Sequence, residues 1–509
     1  MTARPVDPDF LDLPRHALAD AALAAAVSAG ASYADLRIHR ITSEYIQLRD
    51  GELESAVESR EVGLAVRVIV NGTWGFASHA ELTADVAADT ARRAVSVATV
   101  LEPLNAEQVD LAAEPVYADA TWVSDYLIDP FDVPTPDKIT LLGEYAGRLL
   151  AADGVDHVSA GMNAVKEQTF YADTFGSSIT QQRVRVMPML EAVAVDAAAG
   201  SFESMGTLSP PYGRGWEVLA GDDVWNWSRE LAELPGLLAE KVKAPSVVAG
   251  PTDLVIDPSN LWLTIHESIG HATEYDRAIG YEAAYAGTSF ATPDKLGTMR
   301  YGSSVMHVTA DRTVPHGLAS IGYDDEGVQA QSWDLVRDGI FVGYQLDRVF
   351  AQRLGQGQGS PRSNGCSYAD SPHHVPIQRM ANVSLQPAAE DVSTQDLISR
   401  VSDGIYIVGD KSWSIDMQRY NFQFTGQRFY RIRDGRLDGQ LRDVAYQATT
   451  TDFWNSMEAV GGPKTWVLGG AFNCGKAQPG QVAAVSHGCP SALFRGVNVL
   501  NTRIEGAHR

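Results

Sequence analysis

The run 266–271 reads His-Glu-Ser-Ile-Gly-His, and these residue types suit a hydrolytic zinc site. Two imidazoles supply neutral nitrogen ligands, and a carboxylate beside the first can take a proton from a bound water. A catalytic zinc usually has three protein ligands and keeps one position open. The run therefore predicts His266 and His271 as two ligands, with a third to be found elsewhere in the chain.

The spacing of the two histidines decides how they can meet. Residues at i and i+4 share one face of an α-helix, whereas residues at i and i+5 diverge by roughly 140°. His266 and His271 can hold one ion if the helix widens locally, as in a π-bulge that Gly270 would ease. Alternatively, the helix ends near Gly270 and His271 reaches back from the next segment. Both interpretations remain open.

The segments around this run are suited to position it. Residues 253–257 read as a short apolar strand between two aspartates, and Pro258 and Ser259 then offer helix-start chemistry. The His-Glu pair therefore lies in a helix that follows a strand, and we expect the apolar residues before it to be buried. Residues that could orient the imidazoles follow the run: Glu274, Asp276 and Arg277.

A third ligand is sought among the three cysteines. Cys474 stands among glycines and is followed by Lys476, an open and electropositive setting that favours a thiolate. Cys489, two residues after His487, is the competing candidate. Cys366 is expected to be an inert small residue.

Further motifs are spread over nearly the whole chain, at 30–37, 71–78, 324–328, 474–476 and 480–481. Together with the His-Glu-x-x-x-His run, they resemble the TldD/PmbA family of metallopeptidases, and within it the TldD-like, metal-bearing subunit. The resemblance implies His266, His271 and Cys474 as Zn²⁺ ligands and Glu267 as the general base. It also implies peptide substrates that are extended or unfolded and held as an added strand.

The same resemblance implies a dimer that encloses the site at its interface. The partner would be a PmbA-like paralogue, which lacks the ligands, or a second copy of this chain. Phe472-Asn473 precedes Cys474 where Gly-Thr is usual, and the surroundings of Cys366 are also less typical. These departures motivate an alternative, the hydrolysis of a small-molecule amide or an aminoacyl conjugate in a biosynthetic pathway.

Two other interpretations concern the carboxy-terminal histidine and cysteine. A non-catalytic subunit with a structural zinc would need four protein ligands, and His487 or Cys489 could be the fourth. Nucleophilic catalysis by Cys489 with His487 is disfavoured, because no acyl-transfer motif surrounds the pair.

Composition restricts the class of protein. The net charge of −24 disfavours nucleic acids and anionic membrane surfaces as partners, since both attract cationic proteins. Apolar stretches fall short of the roughly 20 residues that span a bilayer, and no basic apolar leader is evident. Three distant cysteines argue against a disulfide framework, so we expect a cytoplasmic protein.

The expected fold class is α+β in two domains. Residues 1–244 would form an amino-terminal domain of helices and antiparallel sheet, with a connector at about 102–136. Helices are predicted at 14–29, 82–101, 137–152 and 222–243, the last interrupted near Pro235. Strands are predicted at 34–41, 45–49 and 63–70 and as pairs within 158–195, with hairpin turns at 50–51 and 71–72.

Residues 245–509 are expected to form a β-rich, barrel-like metallopeptidase domain. Asp-Gly pairs at 338–339, 403–404 and 434–435 recur around β-rich runs and indicate turns of a curved sheet or barrel. The Gly- and Gln-rich segment 355–360 is interpreted as a solvent loop, with a mobile lid over the site as the alternative.

Overall fold

The computed structural model describes residues 4–197, 200–355 and 362–503. Its first part contains, in chain order, α1 (Pro8–Leu11), α2 (Arg15–Ser28), β1 (Tyr33–Arg49), β2 (Glu52–Val70), β3 (Thr73–His79), α3 (Ala84–Leu101), β4 (Ala120–Val123), α4 (Thr135–Leu150), β5 (His157–Asp173), β6 (Ser178–Asp196), β7 (Ser201–Gly206) and α5 (Trp227–Lys243).

Seven strands form one sheet in this part, in the order β3-β2-β1-β5-β6-β4, with β7 also paired to β6. The hairpin turns predicted at 50–51 and 71–72 are confirmed, because φ is positive at both residues of each turn. The strands predicted separately at 34–41 and 45–49 are one strand, β1, since neighbours on both sides pair with it along its length.

Helices cover this sheet in two groups. The first group, α2 and α3, packs small alanines such as Ala22 and Ala91 against β1 and β2. The second group, α4 and α5, packs leucines against β5 and β6. The predicted interruption at Pro235 is wrong, because α5 continues through it, with Leu234 and Leu238 fully buried on either side.

The second part contains β8 (Gly250–Ile256), α6 (Pro258–Ile265), α7 (Tyr275–Ala278), β9 (Val308–Asp311), β10 (Ser332–Arg337), β11 (Ile340–Phe341), α8 (Arg348–Gly355), β12 (Ser367–Tyr368), β13 (Ile377–Gln378), β14 (Asn382–Leu385), α9 (Thr394–Ser399), β15 (Asp403–Ile415), β16 (Asn421–Arg433), β17 (Arg436–Leu441), β18 (Val444–Thr449), α10 (Thr450–Asn455), β19 (Met457–Val460), β20 (Val467–Lys476), β21 (Gln481–Cys489) and β22 (Ala492–Asn501).

Five of these strands close into a barrel, which confirms the predicted α+β class with a barrel-like second part. The circuit runs β15-β8-β22-β18-β16 and returns to β15. Turns are confirmed at 338–339 and 434–435, where φ is positive at all four residues. The turn predicted at 403–404 is wrong, because these residues begin β15 and pair with β16.

Helix α6 is anchored to the barrel by buried polar contacts. The Asn260 amide donates to the carbonyls of Gly409 and Thr425, both 2.9 Å away. The hydroxyls of Thr264 and Tyr446 lie 2.7 Å apart. These contacts fix the helix that leads into the His-Glu run.

Three other predictions from the sequence concern the glycine-rich loop, membrane-spanning segments and the domain boundary. Residues 356–360 of the predicted loop or lid lie outside the described residues. Within the ranges given above, no helix is long and apolar enough to cross a membrane. The division of the chain into domains at 244/245 stays a prediction.

Candidate metal centre

The His-Glu run continues α6 as a widened helical turn. Asp257 caps α6 by accepting from the backbone N–H of Ser259. After Ile265 the chain is π-helical, and the backbone N–H of His271 donates to the carbonyl of His266, five residues earlier. This geometry confirms the π-bulge interpretation and brings the two imidazole centroids to 4.7 Å.

Gly270 serves this turn through its small size. Its φ of −52° and ψ of −61° are ordinary helical values, so the backbone does not require glycine there. A Cβ at this position would lie 2.5 Å from Sδ of Met380. The glycine therefore allows close packing, which differs from the conformational freedom expected from the sequence.

Cys474 reaches the two histidines from β20. This strand pairs with β21, and the register shifts between Ala471 and Cys474. The Arg379 guanidinium donates to the backbone carbonyls of Cys474 and Gln481, which fastens the hairpin on both strands. One ligand atom each from His266, His271 and Cys474 lies within 4.8 Å of the others, and all three residues are buried.

The spacing of this group fits a zinc ion. With Zn–S near 2.3 Å and Zn–N near 2.0–2.1 Å, a tetrahedral site separates sulfur from nitrogen by about 3.6 Å. Sγ of Cys474 lies 3.5 Å from Nε2 of His271. Burial alone would raise the pKa of the Cys474 thiol, but the adjacent His271 and Arg379 lower it overall, which favours the thiolate that zinc binds.

His266 is oriented by a second imidazole. Nδ1 of His487 lies 2.9 Å from the carbonyl oxygen of Val383, which can only accept, so this nitrogen carries a proton. Nε2 of His487 is then the acceptor for Nδ1–H of His266, 2.7 Å away. His266 therefore carries its proton on Nδ1, and the lone pair of its Nε2 is free to bind a metal.

His271 is oriented by a carboxylate. Its Nδ1 lies 2.8 Å from Oε2 of Glu274, which leaves its Nε2 facing Cys474. Nζ of Lys476 lies 3.0 Å from Oε1 of Glu274 and 2.9 Å from Oδ1 of Asp276. The buried Lys476 ammonium thus compensates the charge of the buried Glu274 carboxylate. Glu274 can therefore stay ionised and accept the Nδ1 proton of His271.

Glu267 lies beside this group and contacts a cation. Its Oε2 accepts from Nη1 of Arg419 at 2.7 Å. Burial alone would raise the pKa of Glu267, but the adjacent imidazoles and the Arg419 guanidinium lower it below its ordinary value. The carboxylate is therefore ionised at neutral pH, as a general base must be.

Two domain profiles of one family match the chain. Residues 34–98 match PmbA/TldA metallopeptidase domain 1, and residues 249–501 match the C-terminal domain. A metalloprotease of Methanothermobacter thermautotrophicus is 30% identical over 471 residues, which cover 92% of this chain and 96% of the relative. The chain belongs to the PmbA/TldD family of metallopeptidases.

Other family members extend the comparison. A zinc metalloprotease TldD homolog of Saccharolobus solfataricus is 23% identical, over 92% of this chain and 97% of its own length. TldE of Thermococcus kodakarensis superimposes with a TM-score of 0.68 at 14% identity, over 95% of this chain and 99% of its own. A candidate modulator of a DNA gyrase from Thermotoga maritima gives a TM-score of 0.74, also at 14% identity and over 95% and 100% of the two chains. At these identities the two solved structures show the fold alone.

The remaining cysteines of this family member lie outside the metal group. Cys366 is fully buried, and burial raises the pKa of its thiol to about 12. Cys489 is also fully buried, and its Sγ contacts the carbonyl of Pro258 at 3.6 Å. Phe472 packs on Leu318 in the protein interior. Cys366 and Phe472 are thus buried residues, and the hydrolysis of a small-molecule amide or an aminoacyl conjugate stays an alternative prediction.

The structure assigns roles that the sequence did not. His487, considered as a fourth ligand or a partner of Cys489, has both ring nitrogens engaged by His266 and Val383. Arg419 was not identified from the sequence, because it lies 152 residues from Glu267 and belongs to no motif. Glu274 does contact His271, as its position after the run suggested.

Proposed function

We propose that this chain is a zinc-dependent peptidase that hydrolyses amide bonds in extended or unfolded peptides. The observation that supports this most strongly is the convergence of His266, His271 and Cys474 beside Glu267. In the part of the chain that the structure describes, this group has three members, which would leave a fourth zinc position open for water.

The proposed mechanism assigns one step to Glu267 at each stage. Zinc held by the three ligands would polarise the scissile carbonyl and acidify a bound water. Glu267 accepts a proton from the attacking water as its oxygen adds to the carbonyl carbon, and the carbonyl π electrons move to the oxygen. The electron pair on oxygen then re-forms the C=O bond as the C–N bond breaks with its own electron pair on nitrogen, and Glu267 returns the proton to the leaving amine.

The strand that carries Cys474 supports an extended substrate. Among the described residues, β20 pairs with β21 alone, so its other edge takes part in no strand ladder. A peptide can add to such an edge through main-chain hydrogen bonds. An added strand there would run past the metal ligand, so a peptide in this conformation suits the site.

The partner and the compartment belong to the same proposal. We propose a dimer with a PmbA-like paralogue or with a second copy, in a cytoplasmic setting. The similarity of fold to a protein named TldE supports a related partner, and the unpaired thiols of Cys366, Cys474 and Cys489 suit a reducing compartment. Light scattering of the chain alone, then with a co-expressed paralogue, distinguishes the two assemblies.

The function is tested by Glu267→Gln. This variant should keep its zinc and lose hydrolysis of an unfolded protein and of short peptides by roughly 10²–10⁴-fold, the usual contribution of a general base. Glu58→Gln, at an exposed position of β2, is the matched control. Chelation should abolish activity, and added zinc should restore it. Parental turnover by Glu267→Gln would refute the role of Glu267 and with it the mechanism.

A further inference from the structure

We propose that Arg419 is a catalytic residue, which donates a hydrogen bond to the carbonyl oxygen of the scissile amide as negative charge develops there. This inference rests on the proposed peptidase function and adds a transition-state role to it. It is carried by the contacts and conformation of Arg419.

The contact between Arg419 and Glu267 uses one donor nitrogen and one carboxylate oxygen, so each group can form further hydrogen bonds. Nη1 of Arg419 engages Oε2 of Glu267 at 2.7 Å, so the other carboxylate oxygen can take the proton of water. A guanidinium has five N–H donors, and Nε of Arg419 is buried without a hydrogen-bond partner among the described residues. The Arg419 side chain as a whole is 15% exposed, so a ligand can reach the part of it that faces solvent.

The other cations near the metal group are fully enclosed and serve the scaffold. Arg379 is 1% exposed and holds the carbonyls of Cys474 and Gln481. Lys476 is 3% exposed and is bound by Glu274 and Asp276. Arg277 is likewise buried against Glu274 and Glu282. Of these four cations, Arg419 is the one that contacts the proposed base.

The backbone at Arg419 is held in an uncommon conformation. Its φ is +62°, in the left-handed region that residues other than glycine rarely adopt. The Asp416 carboxylate builds the turn by accepting backbone N–H groups of Gln418, Tyr420 and Asn421, and the backbone N–H of Arg419 donates to the Asp416 carbonyl.

The next helix completes this support. The hydroxyl of Thr450, at the start of α10, donates to the carbonyl of Arg419 at 2.8 Å. Thr450 is fully buried, so the contact is shielded from solvent. Backbone outliers persist where their surroundings determine them, and they concentrate at functional sites. The turn therefore holds the backbone from which the Arg419 guanidinium reaches Glu267.

This placement suits stabilisation of an oxyanion. The water that Glu267 deprotonates attacks the carbonyl carbon, and Arg419 is bonded to the same carboxylate, so we infer that the carbonyl oxygen lies within reach of the guanidinium. A preorganised cationic donor at that point favours the transition state over the neutral substrate. We therefore expect Arg419 to affect kcat more than KM.

The test replaces Arg419 by Ala and by Lys in the zinc-loaded full chain. Arg419→Ala should retain its zinc and lose kcat by about 10²–10³-fold, with a much smaller change in KM, as for other oxyanion donors. Added guanidinium chloride should restore at least a tenfold part of this loss. Arg419→Lys should lie between the two, because it keeps the charge but not the planar fork. Met417→Ala, on the same turn and 55% exposed, is the control that should match the parent.

A binding measurement supplies a second readout. A phosphinic peptide carries a stable tetrahedral anion, and calorimetry should show binding weakened at least 30-fold in Arg419→Ala. An unreactive parental chain would refute the proposed function itself. A reactive parent together with an Arg419→Ala variant within threefold of it, in kcat and in phosphinate affinity, would overturn the role of Arg419. Loss of bound zinc from both Arg419 variants would also overturn it, because Arg419 would then be structural.

Discussion

Nδ1 of His266 lies 2.7 Å from Nε2 of His487, and this contact makes one proposed metal ligand dependent on a neutral imidazole. The other ligand, His271, depends instead on the carboxylate of Glu274. Burial holds the pKa of His487 well below its ordinary value. His487 therefore stays neutral and keeps an acceptor nitrogen toward His266.

The first prediction follows from that contact. His487→Phe removes the acceptor and leaves a buried N–H of His266 without a partner, so zinc affinity should fall by about 10–100-fold. His487→Gln keeps an oxygen acceptor and should stay within about fivefold of the parent. Competition with a zinc chelator measures both values. Equal affinities for the parent and His487→Phe would show that His266 needs no such partner.

The second prediction concerns oxidation of the cysteines. Cys474 has a lowered pKa, whereas burial raises the pKa of both Cys366 and Cys489. Mild peroxide should therefore oxidise Cys474 in the metal-free protein and abolish zinc binding, because the thiolate is the reactive form. Reductant followed by zinc should reverse the loss.

The matched control for this experiment carries Cys366→Ala and Cys489→Ala together. Its zinc binding should be as sensitive to peroxide as that of the parent. Resistance of this double variant would assign the oxidation to a cysteine outside the metal group.

Local signals predicted much of the fold and part of the site. The Asn71-Gly72 turn follows from backbone conformations that few residue types adopt, so the sequence indicates it directly. The five-residue spacing of His266 and His271 limited the helix to two geometries, and the structure has the π-helical one. Within one short segment, residue types and spacing carry enough information.

Contacts between distant segments could not be predicted in this way. Arg419 meets Glu267 only because a turn after β15 folds back over the π-helical turn, and its left-handed φ has no glycine to signal it. Asp403-Gly404 looks like a turn, yet pairing with β16 extends it into a strand. Tertiary pairing overrides local preference at such positions.

The third prediction tests the packing of Gly270. Gly270→Ala places a Cβ 2.5 Å from Sδ of Met380, which is closer than the two atoms can approach. Overpacking of this kind should lower the free energy of unfolding by about 1–3 kcal/mol. Met380→Ala opens space at the same point, so the double variant should be less destabilised than the sum of the two single variants. Denaturant unfolding of all four proteins gives this coupling. Strict additivity would show that Met380 is not what requires glycine there.

The fourth prediction concerns the stability of the metal-free protein below neutral pH. Buried His487 has a pKa well below 6.5 in the folded chain, so on acidification the unfolded chain takes up a proton that the folded chain does not. Stability is therefore lost as pH falls below about 6.5. Asp324 has the opposite effect on stability over part of this range, because burial and Glu326 raise its pKa to about 7. The folded chain then takes up a proton that the unfolded chain does not, which stabilises the fold as pH falls.

Comparison with His487→Gln separates the contribution of His487 to the pH dependence of stability from the contributions of carboxyl groups such as Asp324. Between pH 7.5 and 5.5, the parent should lose about 1 kcal/mol more of its free energy of unfolding than the variant. One proton corresponds to about 1.4 kcal/mol per pH unit, and the histidine of the unfolded chain takes up its proton only in the acidic half of this interval. Urea unfolding at the two pH values measures the difference. Parallel losses in the two proteins would mean that His487 takes up its proton in the folded state, and a protonated Nε2 could not accept from His266.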